Sequence, residues 1–341
     1  MKDDILNLSI QELDTLLLDW GEPRYRSRQV FEWIYTRLAT EFSQMTNLPA
    51  ALRGRLTEEF EICRPKVLET LKSKTDGASK HLVQLHDGNL VESVLIPAKK
   101  RLTLCISTQV GCRFGCKFCA SGANGFTRNL SAGEILAQVL LAQRAVSPGR
   151  ITHIVLMGMG EPADNLANTL KAIKAMNNDA VFNIGWRRIT LSTVGLPDTI
   201  GRIIDQVPQV GLSFSLHAPN DDLRSKLVPA NRTFPVASIV KAAKDYFEAT
   251  GRLPTFEYIL FDGINSESEH ARALVSLLRS VRCKVNLIPL NRTPHSDFAA
   301  PTAKSVQLFL RTLEEAGMKA TIRHSRGGDI AAACGQLASK K

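Results

Sequence analysis

The spacing of hydrophobic positions changes twice along this chain, and each change marks a different kind of element. Over roughly the first sixty residues the spacing is helical. The stretch "IQELDTLLLDWG" repeats apolar side chains at helical intervals and ends in Gly21, a suitable stop. In "RSRQVFEWIYTRL", Val30, Trp33, Ile34 and Leu38 fall on one face. Two of the three tryptophans lie in these stretches, so this appendage is expected to have a small core of its own. The period then shortens to two. "KHLVQLHDG" and "NLVESVLIP" read as strands, and Asp87-Gly88-Asn89 between them is a hairpin signal. A basic connector, "AKKR", leads into "LTLCIST", where a strand–helix rhythm begins. Strand-like runs recur at "THIVLMG", "RRITLST", "VGLSFSL", "PTFEYIL" and "KVNLIPL", and a further one stands at "KATIRH". Helical segments separate them. In one, "SAGEILAQVLLAQRAV", Ser131 and Glu134 carry the signature of a capping box.

This rhythm predicts an α/β fold whose parallel sheet curls into a partial (β/α)6 TIM-like barrel, with an open doubly wound sheet as the alternative. Either arrangement puts chemistry at the carboxyl ends of the strands and in the loops beyond them. The expected divisions are a helical accessory domain (1–65), a β-hairpin connector (66–100), the barrel (101–325) and a C-terminal tail (326–341). The tail carries Cys334 in the setting "AAACGQLASKK", a composition expected to be mobile.

Composition adds partners to this picture. The 341 residues are 44% hydrophobic and 22% charged, ordinary for a globular chain with a sizeable core. The net charge of +10 is not ordinary. It favours an acidic partner, nucleic acid ahead of a membrane surface, although a soluble protein can simply be basic. Arg24, Arg26, Arg28 and Arg37 sit among aromatics in the N-terminal helices. They form either a nucleic-acid-docking face or an ordinary solvated one. No apolar run approaches the ~18 residues of a membrane span. The start, "MKDDILNLSIQELD", is acidic and amphipathic, unlike a signal peptide, so a cytoplasmic location is expected. Seven cysteines in that compartment read as metal ligands, catalysts or buried thiols rather than a disulfide framework.

The densest chemistry lies in "CISTQVGCRFGCKFCASG". Cys112, Cys116 and Cys119 form a C-x3-C-x2-C triplet in the loop after the first barrel strand. Structural zinc usually takes four ligands, and no histidine lies between Cys105 and His153 to complete such a site locally. Iron–sulfur clusters are held by thiolates, and three would leave one iron of a cubane open. In "LMGMGEP", Gly158 and Gly160 permit close backbone approach and Glu161 follows them. Cys63 and Cys283 match no motif and read as structural thiols.

With Phe118 before its last cysteine, the triplet resembles that of the radical S-adenosylmethionine superfamily. "YRSRQVFEWIY", "LVESVLIP", "LCISTQVGCRFGCKFCASGANGFTRNL", "MGMGEP", "LSTVGL", "SFSLHAP", "KVNLIPLN" and "SRGGDIAAACGQL" extend the likeness over essentially the whole chain. They resemble the RlmN/Cfr-type RNA adenine methyltransferases. The resemblance implies a partial barrel of the radical SAM type and one [4Fe-4S] cluster on Cys112, Cys116 and Cys119. It implies an S-adenosylmethionine site lined by Gly160, Glu161, Ser192, Ser215, Leu216, His217 and Asn291. Without the resemblance, Ser192 would be a strand-end hydroxyl, His217 a core histidine and Asn291 a turn former.

The resemblance also implies a reaction that consumes two S-adenosylmethionine molecules per turnover. Cys334 first accepts a methyl group. A 5′-deoxyadenosyl radical abstracts hydrogen from it, and the methylene radical adds to the adenine. Cys105 then resolves the covalent adduct through a transient disulfide with Cys334, and Glu92 serves as proton acceptor. Glu92 read alone would be a solvent-facing hairpin residue. The implied partners are 23S rRNA, tRNA, a one-electron reductant and a disulfide reductant, with no membrane and a monomeric enzyme. "HSRGGDIAAACGQL" resembles the carbon-2 branch, and the carbon-8 branch associated with antibiotic resistance is the alternative. A non-methylating radical enzyme and a cluster-bearing RNA-binding protein are the other readings.

Overall fold

The computed structural model describes residues 2–293 and 296–338. The last three residues of the expected tail, 339–341, therefore lie outside the described residues. Ten strands form one sheet in strict chain order. They are β1 (Lys66–Lys72), β2 (Ser79–Gln84), β3 (Leu90–Ala98), β4 (Arg101–Cys105), β5 (His153–Leu156), β6 (Ile189–Thr193), β7 (Gly211–Ser215), β8 (Thr255–Leu260), β9 (Lys284–Pro289) and β10 (Lys319–Ile322). From β1 to β4 the pairing is antiparallel, and from β4 to β10 it is parallel. Every strand that the periodicity predicts is present. The one it missed is β1, "KVLETLK", whose side chains are nearly all exposed, so no apolar alternation marks it. The expected hairpin is therefore the second half of a three-stranded meander, and it extends the barrel's own sheet.

The parallel strands curl about a lumen. On β8 the alternation is plain: Phe256 and Tyr258 are buried in the core, while Thr255 and Glu257 line an interior cavity. Because the strands run parallel, their carboxyl ends gather at one rim, where the turns that carry polar residues meet.

Helices cover the outside. The helix Ala132–Val146 begins with the expected capping box: the Ser131 hydroxyl accepts from the Glu134 N–H (3.1 Å), and the Glu134 carboxylate accepts from the Ser131 N–H (2.9 Å). Arg128 then donates to both oxygens of Glu134 at 2.8 Å and to Asp87 in the hairpin turn at 2.6 Å. One guanidinium thus ties the meander to the first barrel helix.

The N-terminal helices Ile10–Asp19, Tyr25–Phe31 and Ala50–Glu59 bury Leu13, Leu17, Val30, Leu52 and Leu56. Ile34 on the expected face is buried as well, while Trp33 and Leu38 are half-buried. These side chains do not make a separate core. They join the barrel in one continuous apolar cluster, so the appendage is packed onto the barrel. The seam includes the Tyr35 ring edge on Phe182, with centroids 5.2 Å apart, and the Gly133 N–H donating to Asn7 at 2.7 Å.

The cap on Ala132–Val146 carries a measurable share of this arrangement. Ser131→Ala should lower unfolding stability by about 1 kcal/mol. Urea denaturation of the purified protein measures it, and an unchanged midpoint would refute the cap's contribution.

Candidate active site

The loop after β4 is pinned before it reaches its cysteines. A short ribbon pairs Gln109–Gly111 with Phe126–Asn129, and the Cys112 N–H donates to Gly125 O at 2.7 Å. Gly111 has φ +74°, and a Cβ there would lie 1.9 Å from Gly125 O, so only glycine fits the approach. The Gln109 side chain accepts from the Glu161 N–H (2.8 Å) and donates to Asp164 (2.6 Å), while Asp164 also pairs with Arg113 (2.8 Å). Cys112, Cys116 and Cys119 all line one cavity of about 150 Å³ at the rim. Phe118 is buried between them, its ring edge against His217 (4.9 Å between centroids) and tilted on Phe261 (5.4 Å).

Residues from three strand ends line the same cavity: Gly160 and Glu161 after β5, Ser192 on β6, and Ser215 and His217 at the end of β7. Gly158 and Gly160 are the close-approach positions expected. A Cβ at Gly158 would stand 2.6 Å from Ile106 O, and one at Gly160 would stand 2.5 Å from Gln109 Cβ. The Glu161 carboxylate is buried, accepting from the N–H groups of Ala163 (3.1 Å) and Val194 (2.9 Å). Burial outweighs those bonds and pushes its carboxyl up to about 7. His217 sits at φ +59° with Nδ1 accepting from the Ile259 N–H (3.2 Å). Burial, aided by the charge of Arg224, pushes it down to about 3, so the ring is neutral. Leu216 differs from the expectation: its side chain is fully buried in the core and it does not line the cavity.

The tail is packed rather than loose. The Ala120 N–H donates to Gly335 O (2.8 Å), the Ser121 hydroxyl to Leu337 O (2.6 Å), and the Gln336 side chain to Arg292 O (2.7 Å). Small size, read from the sequence as freedom to move, here lets Ala332 and Ala333 bury themselves. Asn291 does not line the rim cavity. It donates to Cys334 O (3.2 Å) and Ser325 (2.8 Å), holding the tail. Glu92 is buried, not solvent-facing, and also stands outside the cavities. Its oxygens take Lys80 at 3.0 Å and the Ala338 N–H at 2.7 Å, and burial pushes its carboxyl up.

Cys334 lines two cavities at once. One is the rim cavity with the three loop cysteines; the other, of about 630 Å³, occupies the lumen and also exposes Cys105. Both thiols are free. Burial pushes Cys105 up to about 12 and Cys334 upward, with Arg323 opposing both. Arg323 also faces Glu257 (3.7 Å) and the Met157 sulfur (3.6 Å). Sequence reasoning missed Arg323, Glu257 and Arg224. The first two stand on or just beyond strands, where position alone could have singled them out. Cys63 and Cys283 lie away from both cavities, raised to about 12 by burial, as structural thiols do.

Strand-end polar groups, three thiols on the first loop and a sheet of parallel strands together define a radical S-adenosylmethionine enzyme. The comparisons with known proteins agree. Residues 3–62 match the family described as the ribosomal RNA large subunit methyltransferase N-terminal domain, and residues 106–275 match the radical SAM superfamily. A protein of Halalkalibacterium halodurans named probable dual-specificity RNA methyltransferase RlmN is 44% identical, the alignment covering 99% of this chain and 93% of that one. The dual-specificity RNA methyltransferase RlmN of Marinobacter nauticus is also 44% identical, with the same shares covered. The crystal structure of a radical SAM methyltransferase from Sphaerobacter thermophilus superposes with a TM-score of 0.94 at 44% identity, covering 98% of this chain and 99% of that one. This chain belongs to the RlmN family of radical SAM RNA methyltransferases.

The family implies S-adenosylmethionine and a [4Fe-4S] cluster, and the donor set fits one. Among the described residues no group of three or more His, Cys, Asp or Glu side chains is placed to hold a single metal ion. Structural zinc needs four ligands converging on one point. A cubane takes one thiolate at each iron, so its ligands stand apart around a common space, as these three do. Burial holds the Cys112 thiol up to about 12 and pushes Cys116 well up too, so cluster binding must displace protons.

Glu161 gives the cluster-free protein a pH signature. Its folded value of about 7 lies above the ordinary 4.5, so the native state binds its proton more tightly. That contribution is complete below 4.5 and is lost as pH rises through about 7. Unfolding measured across this window should show stability falling with pH, and less steeply in Glu161→Gln. An identical slope in the variant would refute the assignment.

Proposed function

We propose that this protein methylates carbon 2 of an adenosine in 23S rRNA, at the peptidyl transferase centre, and of the adenosine 3′ of the anticodon in some tRNAs. Cys334 would carry the methyl group. The observation that supports this best is the place of Cys334 in the wall between two cavities. A carrier must meet its methyl donor on one side and its acceptor on the other, and a thiol held there can do both. Carbon 2 rests on the likeness of "HSRGGDIAAACGQL" to the carbon-2 branch.

In this reading Cys112, Cys116 and Cys119 hold the cluster, and Glu161, Ser192, Ser215 and His217 receive S-adenosylmethionine. When bound, that pair supplies the one-electron chemistry that activates the methyl carried on Cys334. Cys334 must lose its proton to accept a methyl group, and the Arg323 charge eases that against the cost of burial. To resolve the adduct, the Cys105 thiolate attacks the Cys334 sulfur. The S–S bond forms as the bond from sulfur to the methylene carbon breaks. The electron pair goes to that carbon, which takes a proton to become methyl, and an external dithiol reduces the disulfide. Glu92 is the proton acceptor, and reaching that role requires the Ala338 N–H to leave its oxygen.

The RNA side of the wall is basic. Arg101, Arg187, Arg188, Lys284 and Arg326 ring the lumen cavity, and among the described residues none is in a salt bridge, although Arg326 acts on Asp76. The N-terminal arginines are less available: Arg26 lies 3.6 Å from Glu22, Arg28 is 2.8 Å from Asp179, and Arg37 is 3.1 Å from Glu32. The lumen mouth is thus the stronger phosphate-binding face, with the helical domain, through the exposed Arg24, as a secondary contact.

Two measurements test these assignments. Arg187→Glu with Arg188→Glu should weaken RNA binding at least ~10-fold and shrink its salt dependence by about two phosphate contacts. The pair Arg26→Glu and Arg28→Glu should do less, and the reverse order would refute the lumen mouth as the docking face. Separately, Cys105→Ala should leave RNA covalently attached on a denaturing gel, whereas Cys334→Ala should give neither adduct nor methylated RNA. Mass spectrometry of the modified base decides regiochemistry, and a methyl at carbon 8 would overturn the carbon-2 reading.

A further inference from the structure

Behind the rim cavity lies a cation that no motif pointed to. Arg224, on the short helix Asp221–Leu227, is fully buried at 0% exposure. Its Nε donates to Leu216 O at 2.9 Å. One terminal nitrogen donates to the Asn231 side chain (3.0 Å) and Phe234 O (3.2 Å), and the other to Val194 O (2.9 Å) and Ser215 O (2.9 Å). A guanidinium has five N–H donors, so these five bonds saturate it.

Every one of those acceptors is neutral. Among the described residues no carboxylate forms a salt bridge with Arg224; the Asp221 charge acts on it only from a distance, its carboxylate being bonded to the Val236 N–H (2.7 Å) and Asn231 (3.0 Å). Burying a cation without a counter-ion is strongly penalised, and amide groups alone could tie these turns together at less cost. The charge therefore needs an explanation beyond the hydrogen bonds. Burial pushes the guanidinium down to about 10, so it is still cationic at neutral pH. Its helix is tied to the cysteine loop, the Lys117 N–H donating to Leu227 O at 3.0 Å, and Val194 and Ser215, which Arg224 holds, line the cavity with the three cysteines.

The geometry points to Arg224 as a positioning residue that also serves as the internal counter-cation of the Cys112, Cys116 and Cys119 centre. It holds the carbonyl of Val194, whose N–H holds Glu161, and the carbonyls of Ser215 and Leu216, which set the turn leading into His217. Thiolates on a cluster add negative charge beside a cation to which the protein alone offers only the distant Asp221. The inference rests on the reading that the three cysteines hold a cluster. A fixed positive charge beside such a cluster favours its reduced, more negative form.

The test uses full-length protein reconstituted anaerobically with iron and sulfide, as wild type, Arg224→Gln and Arg224→Lys. Thermal melting before reconstitution checks the fold, and iron content checks occupancy. Redox titration then reads the cluster. In Arg224→Gln the reduced-to-oxidised ratio at fixed potential should fall about tenfold, about 59 mV for a one-electron couple. Arg224→Lys keeps the charge but cannot span the three turns. It should hold the potential near wild type while raising the apparent KM for S-adenosylmethionine about tenfold, with the saturating rate constant little changed, in the single-turnover methylation of Cys334 without RNA. A fully occupied Arg224→Gln protein with an unshifted potential would overturn the counter-cation. Should that variant fail to fold or load, Arg224→Lys decides alone, and an unaltered KM overturns the positioning role. Failure of the wild-type protein to load iron would remove the cluster reading itself, and this inference with it.

Discussion

The position of one sulfur atom depends on a strap of hydrogen bonds made mostly between distant side chains and the main chain of the tail. Cys334 lies between its two cavities because the residues around it are held from four directions. They are held by the cysteine loop through Ala120 and Ser121, by the end of β9 through Asn291 and Arg292, by β3 through Glu92, and by β2 through Lys80, whose ammonium donates to Ala331 O at 3.1 Å. Each such bond contributes about 1 kcal/mol net. A strap of this kind is strong enough to place the sulfur and weak enough to open locally without unfolding the barrel. The loop that offers three thiols and the tail that offers one are thus mutually positioned.

The electrostatics of the rim follow from the same enclosure. Burial moves Glu161 and Glu92 up, His217 and Arg224 down, and the thiols of Cys112, Cys116 and Cys334 up, each toward its neutral form. Arg224 stays charged because its intrinsic basicity exceeds what burial removes, and Arg323 is held charged by its neighbours Cys334 and Glu257. A site in this condition has desolvated its groups before any ligand arrives. Charged ligands then meet preset partners in a low-dielectric space, where each interaction counts for more than in water.

Most of the fold was legible because strand and helix periods report burial directly. The strands β2 through β9 bury side chains and β10 half-buries Ala320 and Ile322, and their alternation or apolar run shows it; β1 buries almost nothing and gave no signal. The capping box at Ser131 and the turn at Gly88 were legible for a different reason, since each is satisfied within a few residues. What failed were inferences about context. Trp33 and Leu38 sit on the expected face, but nothing local says that this face joins the barrel's core rather than one of its own. Alanine and glycine around Cys334 are as compatible with a tightly packed tail as with a mobile one, because small side chains serve both.

The sequence by itself determined the family, the order of the strands and the chemical types at the site, since motif spacing and periodicity are properties of neighbours in the chain. Only the tertiary structure decided which of those groups share a space. Glu92 reads as a surface residue of a hairpin until the tail lies over it. Arg224 reads as one more charge on a polar helix until the ends of β6 and β7 close around it. Asn291 was expected in the ligand pocket and instead holds the tail that forms part of its wall. In each case the residue's role depends on an element far away in sequence, brought near by a sheet whose parallel strands all end at one rim.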